Sequence, residues 1–209
     1  MELNETTRHA IALAEPLYNP ELPYHNWDHA QAVMEGIEPQ VEKMGVRGRR
    51  VRVELGAVAA AWHDVRHDDV EGAKQYGSKE EYAAALMQQH LAEILSEEDR
   101  EVVAAAILDT RAGVSDRSDL GIVLHYADIA NIGYRDYDAF FAATIKLWRE
   151  AGSPDWTTWR DNACRTIDGI IDEAYDEFTT IGLPTGSRDS FTICALSNLS
   201  KLQTADRPK

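Results

Sequence analysis

The sequence predicts an all-α fold, on three observations. Apolar residues recur at threes and fours along most of the chain, capping and stop residues bracket several of those runs, and β-branched alternation between closely spaced turns is missing. In chain order, Ala30, Val33, Ile37, Val41 and Met44 make the first long stripe, which Gly45 ends. Val51, Leu55, Val58 and Trp62 make the next, directly ahead of His63. A third run holds Ala83, Met87, Leu91 and Ile94 and closes near Ser96, which is placed to cap a helix from Glu97 that turns Val103 and Ile107 inward. Leu120, Val123, Leu124 and Ala127 follow, then Tyr137, Phe141, Thr144 and Trp148. A long segment carries Ala163, Ile167, Ile170, Ala174, Phe178 and Ile181 and stops at Gly182 and Pro184. The last helix is expected from Ser190 to Lys201, with Phe191, Ala195 and Leu199 inward. Loops are expected at 16–25, 66–79, 110–118 and 150–156. The runs add up to a compact bundle of about seven to nine helices. One domain is expected over residues 1–203, with 204–209 as a flexible tail.

A chain of 209 residues can bury a core without disulfides or metal staples, and 44% apolar residues supply one. The net charge of −15, from 36 acidic and 21 basic residues, repels a nucleic-acid backbone and anionic lipid. The nearest basic patch is Arg47-Gly48-Arg49-Arg50 with Arg52, which reads as a solvated helix start, with contact to a phosphate as the other reading. A long nucleic acid is therefore disfavoured as a partner, whereas a small phosphorylated molecule is not, because a bound cation neutralises it locally. Cys164 and Cys194 stand among apolar neighbours and read as two buried thiols of a reducing compartment. The acidic start Met1-Glu2-Leu3-Asn4-Glu5 does not resemble a signal peptide, and no run approaches a membrane span, so a cytoplasmic protein without membrane partners is expected.

The informative residues are polar ones standing where apolar stripes should continue. His29 precedes Val33 by four, which puts it on the inward face of its helix. His63 and Asp64 follow the apolar run Leu55–Trp62 at once. Asp128 continues the stripe of Leu120 and Leu124. Each has an ordinary explanation: a satisfied core histidine, the polar end of a buried helix, a carboxylate paired with arginine. Together, two imidazoles and two carboxylates from three helices fit one hard or borderline divalent ion, which would satisfy all four at once. The absence of a nearby thiolate argues against a structural zinc site.

Three segments, Pro23-Tyr24-His25-Asn26-Trp27-Asp28-His29-Ala30, His63-Asp64 and Tyr126-Ala127-Asp128-Ile129-Ala130-Asn131-Ile132-Gly133, resemble the HD superfamily of metal-dependent phosphohydrolases. The likeness is closest to its small single-domain "predicted metal-dependent HD phosphohydrolases" and covers about the first two-thirds of the chain. The Tyr-His-Asn-x-x-His element is similar to that of cyclic-nucleotide phosphodiesterases. The resemblance implies an HD-type helical bundle and hydrolysis of a small phosphoester, such as a nucleotide, by a metal-bound water. It maps the metal ligands onto His29, His63, Asp64 and Asp128, and the proton donor to the leaving oxygen onto His25. A packed loop histidine is the other reading of His25.

In His63-Asp64-Val65-Arg66-His67-Asp68, Asp68 falls where guanosine tetraphosphate hydrolases of the superfamily carry an acid implicated in activating water. His67 stands where those enzymes have Glu, and is expected to join the site or bind substrate. Glu80 and Glu81 resemble an acid-bearing helix of the family, but a capping box from Ser78 explains them locally. Related small HD proteins commonly carry a histidine shortly after a threonine; here Leu108-Asp109-Thr110-Arg111-Ala112-Gly113 has none, which favours one metal over two. Arg111 offers a phosphate clamp in its place, or pairs with a surface acid. His125, three before Asp128, supports that carboxylate or simply packs.

The cofactor expected is one divalent ion among Mn, Mg, Fe, Ni, Co and Zn. The competing class is a non-catalytic HD-fold regulatory or nucleotide-binding protein, with a di-iron oxygenase behind it. Trp148, Trp156 and Trp159, read as an exposed aromatic patch, leave a homodimer open.

Overall fold

Side-chain caps set several of the helix starts. Asn4 Oδ1 accepts from the Thr7 amide ahead of α1 (Glu5–Ala12), and Asn26 Oδ1 accepts from the Asp28 and His29 amides ahead of α2 (Trp27–Lys43). Asp69 does the same for α4 (Val70–Lys74), Ser78 for α5 (Lys79–His90) and Ser96 for α6 (Glu97–Leu108). The computed structural model describes residues 3–45, 50–180 and 185–208, and among these there is no strand. Arg47 and Arg49 of the basic patch, and the stop at Ile181, Gly182 and Pro184, lie outside the described residues. The helices fall into two compact units, Met1–Asp128 and Ile129–Lys209.

In the first unit α3 (Val53–Trp62) is the central element: every residue from Leu55 to Trp62 is buried. It packs against α1, α2, α6 and α7 (Asp119–Asp128). A helix buried all round needs small residues where neighbours approach, and Gly56, Ala57, Ala59, Ala60 and Ala61 provide them. A Cβ on Gly56 would stand 2.7 Å from Ile37 Cγ2 of α2, and one on Gly36 of α2 would stand 3.1 Å from Ala127 Cβ of α7. These glycines let α2 sit close on both α3 and α7, the three helices that carry the inward polar residues. The C-terminal end of α3 is pinned by two side chains, because Trp62 Nε1 donates to Ala10 O at 3.0 Å and Tyr18 Oη donates to Ala61 O at 3.1 Å. The expected loop 66–79 contains α4, a short helix that its pattern did not reveal.

The second unit consists of a 3-10 turn (Ile129–Gly133), α8 (Tyr137–Glu150), α9 (Trp156–Thr180) and α10 (Thr185–Gln203). Its core holds Phe140, Trp148, Trp156, Ile167, Ile171 and Leu199 among others. The inward face of α9 holds Ile167, Ala174 and Phe178 as expected and adds Cys164 and Ile171, with Ala163 and Ile170 only partly covered. Likewise α8 buries Phe140 and Ile145, with Phe141 only partly covered. The expected aromatic patch is corrected here: Trp148 and Trp156 are buried, and their indole N–H groups donate to Pro154 O and Ala205 O. Cys164 is buried and free, whereas Cys194, also free, is only partly covered. No helix among the described residues is long and apolar enough to cross a membrane.

Candidate metal centre

Four side chains from three helices converge in the first unit. His29 comes from the first turn of α2, His63 from the C-cap of α3 with Asp64 in the turn just beyond it, and Asp128 from the last position of α7. One ligand atom from each lies within 4.8 Å of the others. His29 Nε2 is 3.0 Å from Asp128 Oδ1 and 3.5 Å from Asp64 Oδ2. His63 Nε2 mirrors it, 3.0 Å from Asp64 Oδ2 and 3.5 Å from Asp128 Oδ1. The site is therefore a buried His/His/Asp/Asp cluster capable of chelating a divalent ion, as the sequence spacing predicts.

His63 supplies the test of fit. Its Nδ1 lies 2.8 Å from Ala60 O, a carbonyl that can only accept, so Nδ1 carries hydrogen. Its Nε2 is buried and has no hydrogen-bond partner, although two carboxylate oxygens face it. A bare lone pair against anionic oxygens is repulsive, so the geometry demands a proton or a cation between them. Burial alone would lower the pKa of His63, but Asp64 and Asp128 hold it well above the ordinary histidine value. The same balance raises His29, where burial is opposed chiefly by Asp128 and then Asp64. Burial acts to raise Asp64 and Asp128, yet the two imidazoles and their hydrogen bonds pull both below the usual carboxylate range. Such mutual stabilisation of two N and two O donors is what a divalent ion replaces when it binds.

Around the four clustered side chains stands a second layer. His67 Nδ1 lies 3.2 Å from Asp64 Oδ1, and Lys79 Nζ lies 2.7 Å from His67 Nε2. His25 stacks on His67, with ring centres 3.7 Å apart and planes at 10°, and meets His29 edge-on at 5.7 Å. Tyr24 covers His29 with ring centres 4.6 Å apart. Arg66 makes this crowding geometrically feasible: its φ of +57° is left-handed, a costly conformation for a side-chain-bearing residue, and it ends the helical path between Asp64 and His67.

The other sequence candidates are not among the four clustered side chains. Asp68 is exposed and accepts from Asn19 Nδ2 at 2.8 Å. Arg111, at 47% side-chain exposure, is paired with Glu81 at 3.2 Å, which is the surface-acid alternative. Ser78 Oγ accepts from the Glu81 amide at 3.1 Å, so the capping role holds for that segment. His125 is buried, with its ring 5.0 Å from that of Tyr126.

Two residues of the surroundings escaped the sequence reading. Lys79 drew no notice in the sequence, because nothing in its spacing connects it with His67. Tyr18 stood in a loop, yet burial first and Asp64 next raise its phenol well above the ordinary value, a sign of its nearness to the carboxylates. Only its apolar neighbours Ala14 and Leu17 hinted at burial. No model of a known protein family matches the chain, and no curated protein matches it either.

Proposed function

We propose that this chain is a divalent-metal-dependent phosphohydrolase of the HD superfamily that acts on a small phosphoester such as a nucleotide. The observation that carries the proposal is the meeting of His29, adjacent His63 and Asp64, and Asp128 in one cluster, with the motif-matched His25 beside it. One ion held by those four residues would supply Lewis acidity, neutralising phosphate charge and making water a better nucleophile at neutral pH. The rest falls to the chain's own groups.

Hydrolysis breaks the bond from phosphorus to the leaving oxygen, and that oxygen needs a proton. His25 suits this role, because it borders the cluster without being one of its four donors. Asp68, fixed by Asn19, is assigned to orienting the attacking water, and Arg111 to contacting phosphate on release from Glu81. The strongly acidic chain favours a small anionic substrate met at a cation over an extended one.

The test compares His25→Ala with His29→Ala on alkyl and aryl phosphate mono- and diesters, supplied with Mn, Mg, Co, Ni or Fe. Metal content is measured alongside turnover. His25→Ala should keep its metal and lose about 10²–10⁴-fold in turnover of the alkyl ester, as is typical for a lost general acid. The loss should shrink for the aryl ester, whose leaving group needs little protonation. His29→Ala should lose metal and activity on every substrate alike. Metal loss from His25→Ala makes His25 a ligand, and a metal-loaded wild type that hydrolyses none of the esters removes the phosphohydrolase reading.

A further inference from the structure

We infer that His67 is a positioning residue, locked by Lys79 into the one tautomer that holds Asp64 in ligand geometry. The inference rests on the four-residue cluster as the seat of the ion, and not on any particular reaction. Lys79 Nζ, 2.7 Å from His67 Nε2, offers only hydrogen-bond donors, so Nε2 must accept. The hydrogen of the neutral ring then sits on Nδ1, which points at Asp64 Oδ1 at 3.2 Å and donates to it. Asp64 is thereby divided between its oxygens: Oδ1 takes the hydrogen bond from His67, while Oδ2 faces His29 and His63 in the cluster.

The ring itself has little freedom. Lys79 holds one edge, Asp64 the other, and His25 lies flat on one face at 3.7 Å and 10°. Two features of the backbone bring these edges together. The left-handed turn at Arg66 carries the chain back past Asp64, and Ser78 starts α5 so that Lys79 is its first residue. His67 was expected to contact substrate, but with both nitrogens engaged it has no ring donor or acceptor to spare for one. A ligating carboxylate held by an outer hydrogen bond keeps its orientation when the ion arrives, and losing such partners typically weakens metal binding.

The decisive measurement is the affinity of metal-stripped protein for Mn²⁺ alone, by titration calorimetry, with folding checked by circular dichroism. His67→Ala should bind Mn²⁺ about 10–100-fold more weakly than wild type. His67→Asn should recover most of that loss, because its amide N–H takes the place of Nδ1–H. Lys79→Met should show a smaller loss than His67→Ala, and Lys79→Arg should stay near wild type. Imidazole ¹⁵N shifts in the Zn²⁺-loaded protein should report the Nδ1–H tautomer of His67, and Lys79→Met should shift it toward Nε2–H. A folded His67→Ala with wild-type affinity, an Nε2–H tautomer in wild type, or no recovery in His67→Asn overturns the assignment. Wild type that binds no divalent ion removes the metal centre itself, a failure distinct from the others.

Discussion

His63 is held at Nδ1 by a backbone carbonyl, while its Nε2 faces the two carboxylates of the cluster. On the proposed metal reading that arrangement would tie stability to an ion, because metal bound by the native protein and not by the unfolded chain stabilises it by about 2.7 kcal/mol when free metal is a hundredfold above Kd. Wild type should therefore melt lower after chelation, while His63→Ala and Asp64→Ala should melt alike with and without chelator. Equal chelator sensitivity in the variants would uncouple these residues from the metal. At this scale the four clustered side chains were legible in the sequence, because an inward histidine or aspartate on an apolar stripe is costly and therefore conspicuous. His67 was legible as a neighbour of the site, four residues past His63. Its link to Lys79 was not, since that contact depends on the turn at Arg66, and a left-handed arginine leaves no mark on a hydrophobic pattern.

Among the elements, α2 and α3 meet through Gly56, and both bring residues to the cluster. A methyl there would press on Ile37 Cγ2, a branch attached at Cβ that cannot swing aside. Gly56→Ala should cost about 1–3 kcal/mol by overpacking. Gly169→Ala, in the middle of α9 with nothing within 4 Å, should gain about 0.5–1 kcal/mol from helix propensity. Chemical denaturation of the two variants checks both signs, and a neutral Gly56→Ala would disprove the close approach. Helix α4 gives a pH prediction. Asp69 lies below its ordinary pKa, first because the Gly72 amide donates to it and then because Tyr82 Oη does. A carboxylate depressed in the folded state adds stability above its unfolded pKa of about 3.9, and loses it as pH falls through the folded value. Asp69→Asn keeps the cap but cannot titrate, so the gap in melting temperature between wild type and variant should shrink below about pH 4. A gap constant from pH 7 to pH 3 would exclude this linkage. The sequence located most helices through their caps and stripes, and on α9 it turned Ile167, Ala174 and Phe178 inward as observed while missing Cys164 and Ile171. An apolar strip wide enough to include both Ile170 and Ile171 does not say which of them points in.

Across the whole molecule, the boundary between the two units falls at Asp128 and Ile129, where the chain passes directly from α7 into a 3-10 turn. No Pro/Gly-rich stretch or shift in charge marks that junction, so a pattern reading has nothing there to detect. The all-helical class was legible because it rests on many weak signals that agree, whereas the division rests on which helices touch. One consequence concerns the order of events in folding. His29 and Asp128 are separated by 99 positions, so the site is closed by one of the longest-range pairings in the first unit. Helices form in about a microsecond, but such a closure must wait for α7 to dock on α2. The ion is then a timer of long-range assembly: in stopped-flow refolding, ellipticity should recover before Mn²⁺ is captured. Capture in the earliest helical phase would mean that His63 and Asp64, neighbours in the chain, recruit the ion before Asp128 arrives.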